Sequence, residues 1–157
     1  MKEVGLTNIY LDKILIKRCS DYVGIYSSNN IPLQVGEGRK KYSLICNLSE
    51  EGESGSHFIT ILVMGGRWLY YLDSLGLPCL SQHIMKWMTK QKLPIFHNSV
   101  AIQSANSLLC GYYCMLYVLL YDSNTKSPIT AQFSKDYEDN DKKCVEYLIS
   151  VLRRNKI

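Results

Sequence analysis

A thiol, an imidazole, a carboxylate and a carboxamide stand at positions from which they can build one nucleophilic site: Cys110, His57, Asp73 and Gln103. Thiol-based attack on a carbonyl needs a thiolate, a base that forms or stabilises it, a group that orients the base, and donors aimed at the developing oxyanion. Cys110 opens an apolar run read as a helix, so free N–H groups and the positive dipole end favour its thiolate form. Gly111 follows at once and lets another chain approach closely. On its own, Cys110 would read as a buried thiol at a helix start.

His57 opens the first strand of a hairpin and Asp73 ends the second. The two ends of an antiparallel hairpin lie side by side, so Asp73 can hold the imidazole in one tautomer. Alone, His57 would read as a structural residue and Asp73 as turn chemistry. The hairpin couples them. Gln103 stands seven residues before Cys110, where its amide could donate to an oxyanion beside the Cys110 backbone N–H. His83 in a predicted helix and His97 after Pro94 lack a carboxylate placed by a local motif and rank below His57 as base.

The elements that must position these groups follow from local pattern. Residues 7–18 carry Ile9, Leu11, Ile14 and Leu15 near helical spacing, with Thr7 as candidate N-cap. Residues 22–27 and 42–48 read as strands, separated by a turn at Asn29, Asn30 and Pro32 and a Gly- and Lys-rich loop at 36–41. Residues 57–63 and 67–73 flank Met64-Gly-Gly66 and predict a hairpin. Their nearly continuous apolar character predicts central strands covered on both faces. Ser81 caps a predicted helix reaching about Gln91, with Ile84, Met85, Trp87 and Met88 facing inward. Residues 99–103 read as a short strand. Residues 110–121 are apolar almost all round, as a buried central helix would be. A polar connection at 122–140, containing Pro128, leads to an amphipathic helix over about 141–153. There Val145, Leu148, Ile149 and Leu152 face inward, and the basic end suits the dipole.

The chain has 157 residues with 46% apolar and 20% charged. This fits one globular domain over 1–157 of α+β class, with a modest central sheet packed on the 110–121 helix. Net charge is only +4. The densest basic spots, Arg39-Lys-Lys41 and Arg153-Arg154 with Lys156, read as solvated surface rather than a nucleic-acid footprint. No apolar run is long enough for a membrane span, and residues 1–5 lack a signal core, so neither membrane insertion nor secretion is expected. Twelve tyrosines suit a half-buried interior or a peptide groove. Most of the six cysteines sit in apolar stretches and read as buried free thiols. Cys79 with His83, and Cys110 with Cys114, have four-residue spacing, but no CxxC pair occurs, so neither a metal nor another cofactor is expected.

Together these residues resemble the adenovirus-type maturation proteases and the related ubiquitin-like-protein (deSUMOylating) proteases. The chain order His57, Asp73, Gln103, Cys110 matches that clan and reverses the papain order. Gln103-Ser-Ala-Asn-Ser-Leu-Leu-Cys-Gly111 resembles the adenoviral Gln…Asn-Ser-x-x-Cys-Gly motif, with the same Gln-to-Cys spacing. Gly55-Ser-His57 is similar to Gly-Val-His there. Tyr71-Leu-Asp-Ser-Leu-Gly76 is closer to the Tyr-Asp-Ser-Leu-Gly of the deSUMOylating branch. Asp21-Tyr-Val-Gly-Ile-Tyr26 with Pro32 is similar to an adenoviral Phe-Leu-Gly-Thr-Tyr…Pro stretch.

The resemblance implies a papain-like core in permuted order, bearing the catalytic Cys at a helix N-terminus. It assigns Cys110 as nucleophile, His57 as general base, Asp73 as its orienter and Gln103 as oxyanion donor. It further implies an endopeptidase acting on viral capsid or core precursor polypeptides during particle maturation. Cleavage falls near small residues such as Gly-Gly or Gly-Ala, in the virion and the infected host cell. Such chains also occur in virophages and virus-like transposons. Departures are Asp73 where adenoviral enzymes carry Glu, Phe58 where they carry Trp, and a shorter 73–103 segment. DNA or a peptide as activator is a family trait that the sequence leaves open. No cysteine lies between Cys79 and Cys110, so a disulfide-linked activator is not expected. The alternatives are an isopeptidase removing ubiquitin-like modifiers and, remotely, a non-enzymatic Cys/His metal-binding module.

Overall fold

A computed structural model describes residues 8–50, 52, 57–105, 107–122 and 133–154. Thr7, Gly55, Ser56, Asn106, Pro128 and Lys156 lie outside the described residues. The elements are α1 (Asn8–Arg18), β1 (Tyr22–Ser27), β2 (Lys41–Asn47), β3 (Phe58–Met64), β4 (Trp68–Leu72), α2 (Gln82–Lys90), β5 (Ile95–His97), α3 (Cys110–Asp122) and α4 (Tyr137–Arg153).

The strands form one sheet in the order β1-β2-β3-β4-β5. The β1–β2 and β4–β5 pairs are parallel, and β2–β3 and β3–β4 are antiparallel. This is the α+β architecture with a mixed sheet that the sequence predicts. The β3–β4 hairpin turns at Gly65 and Gly66, and Gly66 takes a φ of 75° that suits glycine.

Both faces of the sheet are covered, as the continuous apolar runs require. On one face Ile45, Leu62 and Leu72 pack with Leu11 and Leu15 of α1, with Tyr113, Leu116, Tyr117 and Leu120 of α3, and with Leu148 of α4. On the other, Leu44, Ile59, Ile61, Leu69 and Tyr71 pack with Ile84, Trp87 and Met88 of α2. Each such aliphatic side chain contributes about 1.5–3 kcal/mol on leaving water, enough to hold α3 rigidly against the sheet. Gly111 lets that packing begin at the first turn of α3: an added Cβ would sit 3.3 Å from Leu11 Cδ1.

Several boundaries differ from the sequence pattern. Residues 99–103 form no strand; the fifth strand is Ile95–His97, parallel to Leu69–Tyr71. Alternating apolar residues favour a strand at 99–103, but the Ile102 and Gln103 amides donate to the Ser74 carbonyl instead of a ladder. A strand of three residues is too short to show a period. Helix α4 starts at Tyr137, not near 141, because Asp136 caps it by accepting from the Asp139 amide. Glu138 and Asp139 complement the dipole in the first turn. Met85 and Ile149, expected to face inward, are exposed. Leu148 faces the core as expected, and Cys144 joins it.

Candidate active site

Site residues converge at the end of the sheet where β3 begins and β4 ends. His57 immediately precedes β3 and Asp73 immediately follows β4. His57 Nε2 lies 2.8 Å from Asp73 Oδ1. Their side chains are 13% and 1% exposed, so water screens the pair little. Asp73 Oδ1 also accepts from the Leu75 amide at 2.8 Å. With Nε2 committed to Asp73, the remaining ring nitrogen, Nδ1, is the one left to hydrogen-bond Cys110, which pairs with His57.

Cys110 is the first residue of α3 and is half-buried. Burial pushes its thiol up; the His57 hydrogen bond, the Phe58 backbone N–H, the imidazolium charge and the Gly111 N–H outweigh that and hold it below 9.0. Burial pushes His57 down, but hydrogen bonds and charge from Asp73 and Cys110 lift it to about 9. Each partner favours the charged form of the other. The other buried cysteines go the opposite way. Burial pushes the Cys19 thiol up to about 12 and raises Cys46, Cys114 and Cys144 as well. All six cysteines are free, and four are buried as expected.

Gln103 is buried, and its amide is fixed from both ends. Ser74 Oγ donates to Gln103 Oε1 at 2.5 Å. Gln103 Nε2 donates to the Ser107 carbonyl at 2.9 Å. A carbonyl only accepts, so this contact identifies the nitrogen and leaves its second N–H uncommitted. The Ser107 contact keeps that amide on the loop leading into Cys110.

Three positioning residues escaped the sequence reading. Asn98 clasps the Asp73 backbone: its Oδ1 accepts from the Asp73 amide at 2.8 Å and its Nδ2 donates to the Asp73 carbonyl at 2.5 Å. Ser74 ties the β4 exit to Gln103 through both hydroxyl and carbonyl. Asn140, fully buried in α4, donates to the Ile102 carbonyl at 3.0 Å and the Ser134 carbonyl at 2.8 Å. Ser74 stands in the Tyr71-to-Gly76 segment already singled out, but the role of each residue leaves no local signal, because each has a partner distant in sequence. Gly76, with φ of 66°, lets the 73–76 turn press on the 100–101 backbone; an added Cβ would lie 2.6 Å from Ala101 N.

The competing histidines are elsewhere. His83 Nε2 lies 2.9 Å from Glu50 Oε1, a carboxylate that no local motif revealed, but both groups are half-exposed. His97 is exposed on edge strand β5 and packs against Tyr71. Cys79 turns to the Ser81 carbonyl and His83 to Glu50, so that spaced pair does not converge.

No protein-family model matches this sequence, and no curated protein matches it. Solved structures do. The chain is similar to the ASFV pS273R protease, with a TM-score of 0.51 and 16% identity over 68% of this chain and 43% of that one. It is also similar to ChlaDub1 from Chlamydia trachomatis, with a TM-score of 0.55 and 11% identity over 73% of this chain and 60% of that one. The chain thus spans about half the length of these structures and shares their fold.

Proposed function

We propose that this protein is a cysteine peptidase in which Cys110 attacks a peptide carbonyl. The observation that carries the reading is the continuous hydrogen-bonded line Cys110–His57–Asp73, running from a helix N-terminus to a buried carboxylate. Cys110 Sγ adds to the carbonyl carbon, and the oxyanion takes donors from Gln103 Nε2 and the Cys110 backbone N–H. Protonated His57 gives its proton to the departing amine, leaving an acyl-thioester. His57, now neutral, takes a proton from water as that water attacks, and Cys110 leaves as the thiolate. Asp73 keeps the imidazole in the required tautomer throughout.

The surroundings favour an extended, neutral polypeptide as substrate. No Asp, Glu, Lys or Arg occurs in 74–85 or 93–121, although 20% of the chain is charged. Leu77, Val100 and Leu108 project as exposed side chains from the very loops that Ser74, Gln103 and Gly76 lace together. An apolar, uncharged rim beside a nucleophile suits apolar and small side chains along a substrate strand. The maturation reading, cleavage of viral capsid or core precursors at Gly-Gly or Gly-Ala, is supported by the residue order and the Gln103-to-Cys110 motif. The similarity to a viral protease fold agrees with it. Removal of ubiquitin-like modifiers is the second reading, favoured by the Tyr71-to-Gly76 segment.

Cleavage assays with the parent and Cys110→Ala test the activity: precursor polypeptides should be cut by the parent alone. Equal cleavage by Cys110→Ala would refute the nucleophile assignment. Turnover of folded modifier conjugates with precursors left intact would select the second reading. Leu108→Glu should lower kcat/KM for neutral peptides about tenfold, the cost of placing a charge against an apolar subsite.

A further inference from the structure

The two oxyanion donors belong to separate segments: Gln103 Nε2 to the loop before α3, and the Cys110 N–H to α3 itself. Both must point at one atom to stabilise its charge, so the spacing between the two segments has to be fixed. The Gln103 segment is gripped from two sides. From the β4 exit, the Ser74 carbonyl accepts from the Ile102 amide at 2.9 Å and the Gln103 amide at 3.0 Å. From α4, Asn140 Nδ2 donates to the Ile102 carbonyl at 3.0 Å, and Asp141 Oδ1 accepts from the Ser104 amide at 3.4 Å. The residues on either side of Gln103 are thus both tied to α4.

The same oxygen of Asp141 reaches the helix of the nucleophile. Tyr113 Oη donates to Asp141 Oδ1 at 2.7 Å, and the hydroxyl also lies 3.4 Å from the Ile102 carbonyl. Tyr113 follows Cys110 by about one turn of α3. Tyr113 and Asn140 are fully buried, so water does not compete for these bonds. Burial and the Asp141 carboxylate both push the Tyr113 hydroxyl up, so it keeps its proton and stays the donor. Asn140 is locked as well. Its second N–H donates to the Ser134 carbonyl at 2.8 Å, and its oxygen accepts from the Ser134 amide at 3.0 Å.

We propose that Asp141 and Tyr113 are positioning residues that set Gln103 against Cys110, making α4 the brace of the oxyanion site. Neither side chain touches the reacting atoms. Asp141 joins the residue after Gln103 to a residue one turn beyond Cys110, so it fixes the distance between the segments that carry the two donors. The contact from Gln103 Nε2 to the Ser107 carbonyl closes the circuit on the other side. Both positioning residues lie beyond Gly111, where the motifs that carry the family resemblance end. The inference rests on the proposed reaction of Cys110 and on no particular polypeptide substrate.

The test compares two reactions of Cys110. With p-nitrophenyl acetate the thiolate attacks the acetyl carbonyl, an oxyanion forms, and p-nitrophenolate leaves; with iodoacetamide it displaces iodide and no oxyanion forms. Asp141→Ala and Tyr113→Phe should each slow acylation about tenfold, short of the roughly 10²-fold expected of Gln103→Ala, while alkylation keeps the parent rate. Asp141→Asn, which retains an acceptor oxygen, should recover most of the acylation lost in Asp141→Ala. Asp141→Ala combined with Gln103→Ala should be no slower than Gln103→Ala alone, because the brace acts through Gln103. A merely structural role would slow both reactions and add to the Gln103→Ala loss. That pattern overturns the brace and leaves the proposed reaction standing. So does parent-like acylation in either Asp141→Ala or Tyr113→Phe beside a slowed Gln103→Ala. Parent-like acylation in Cys110→Ala or Gln103→Ala refutes the proposed reaction, and the brace with it. Should Asp141→Ala fail to fold, Tyr113→Phe, which loses one hydroxyl and keeps the ring, decides alone.

Discussion

His57 Nε2 and Asp73 Oδ1 stand 2.8 Å apart although 16 residues separate them, because β3 and β4 bring the hairpin ends together. With Cys110 on the other ring nitrogen, the imidazole is lifted to about 9. Activity should therefore hold through neutral pH and fall as pH rises through about 9, where His57 loses its proton. The same sign holds for stability. The His57 contribution is complete below its unfolded value of 6.5 and is lost as pH rises through about 9. In Cys110→Ala the imidazole loses a hydrogen bond and a negative charge, so it should titrate lower. NMR titration of the ring protons checks this; a midpoint unchanged near 9 would show that the ion pair does not form.

Asp73→Asn removes the charge and replaces one of the two acceptor oxygens by an N–H donor, so the His57 tautomer is no longer fixed. We expect kcat/KM to fall about 10³-fold or more with the fold intact. Steady-state kinetics beside circular dichroism would measure both. A loss under tenfold would mean that Asp73 only shapes the turn.

Gln103→Ala should lower kcat about 10²-fold, the usual worth of one oxyanion donor, with KM little changed. It also strands the Ser74 hydroxyl and the Ser107 carbonyl, a cost of about 1–3 kcal/mol each in stability. Ser74→Ala frees one end of the amide and should cost about tenfold in kcat. If Gln103→Ala changes stability but not kcat, Gln103 is a loop brace alone.

Gly76→Ala forces a Cβ onto the Val100–Ala101 backbone from a left-handed conformation. Strain of this kind costs about 1–3 kcal/mol, before any clash. Urea unfolding should show that loss, and kcat/KM should drop because the same turn carries Ser74. A Gly76→Ala protein as stable as the parent would contradict the packing described.

Much of the frame was legible because it rests on local pattern. The β3–β4 hairpin declared itself through two apolar runs around Gly65-Gly66, and buried α3 through its unbroken apolar stretch. Cys110, His57, Asp73 and Gln103 could be named as candidates from residue type, order and the elements they flank. Segment 95–103 could not be read correctly, since Asn98 and Ser74, remote in sequence from their partners, claim the hydrogen bonds that choose its conformation. The start of α4 turned on one capping side chain, Asp136, inside a polar stretch without a period.

By itself, then, the sequence determined which groups are available for chemistry and which elements carry them, since periodicity and turn residues act over a few positions. Only the tertiary structure decided which nitrogen of His57 faces Asp73, that Ser74 and Ser107 lock the Gln103 amide, and that Asn98 clasps the Asp73 backbone. Those are distances and orientations between segments far apart in the chain. They are set by how α3 packs on the sheet, and no local pattern encodes them.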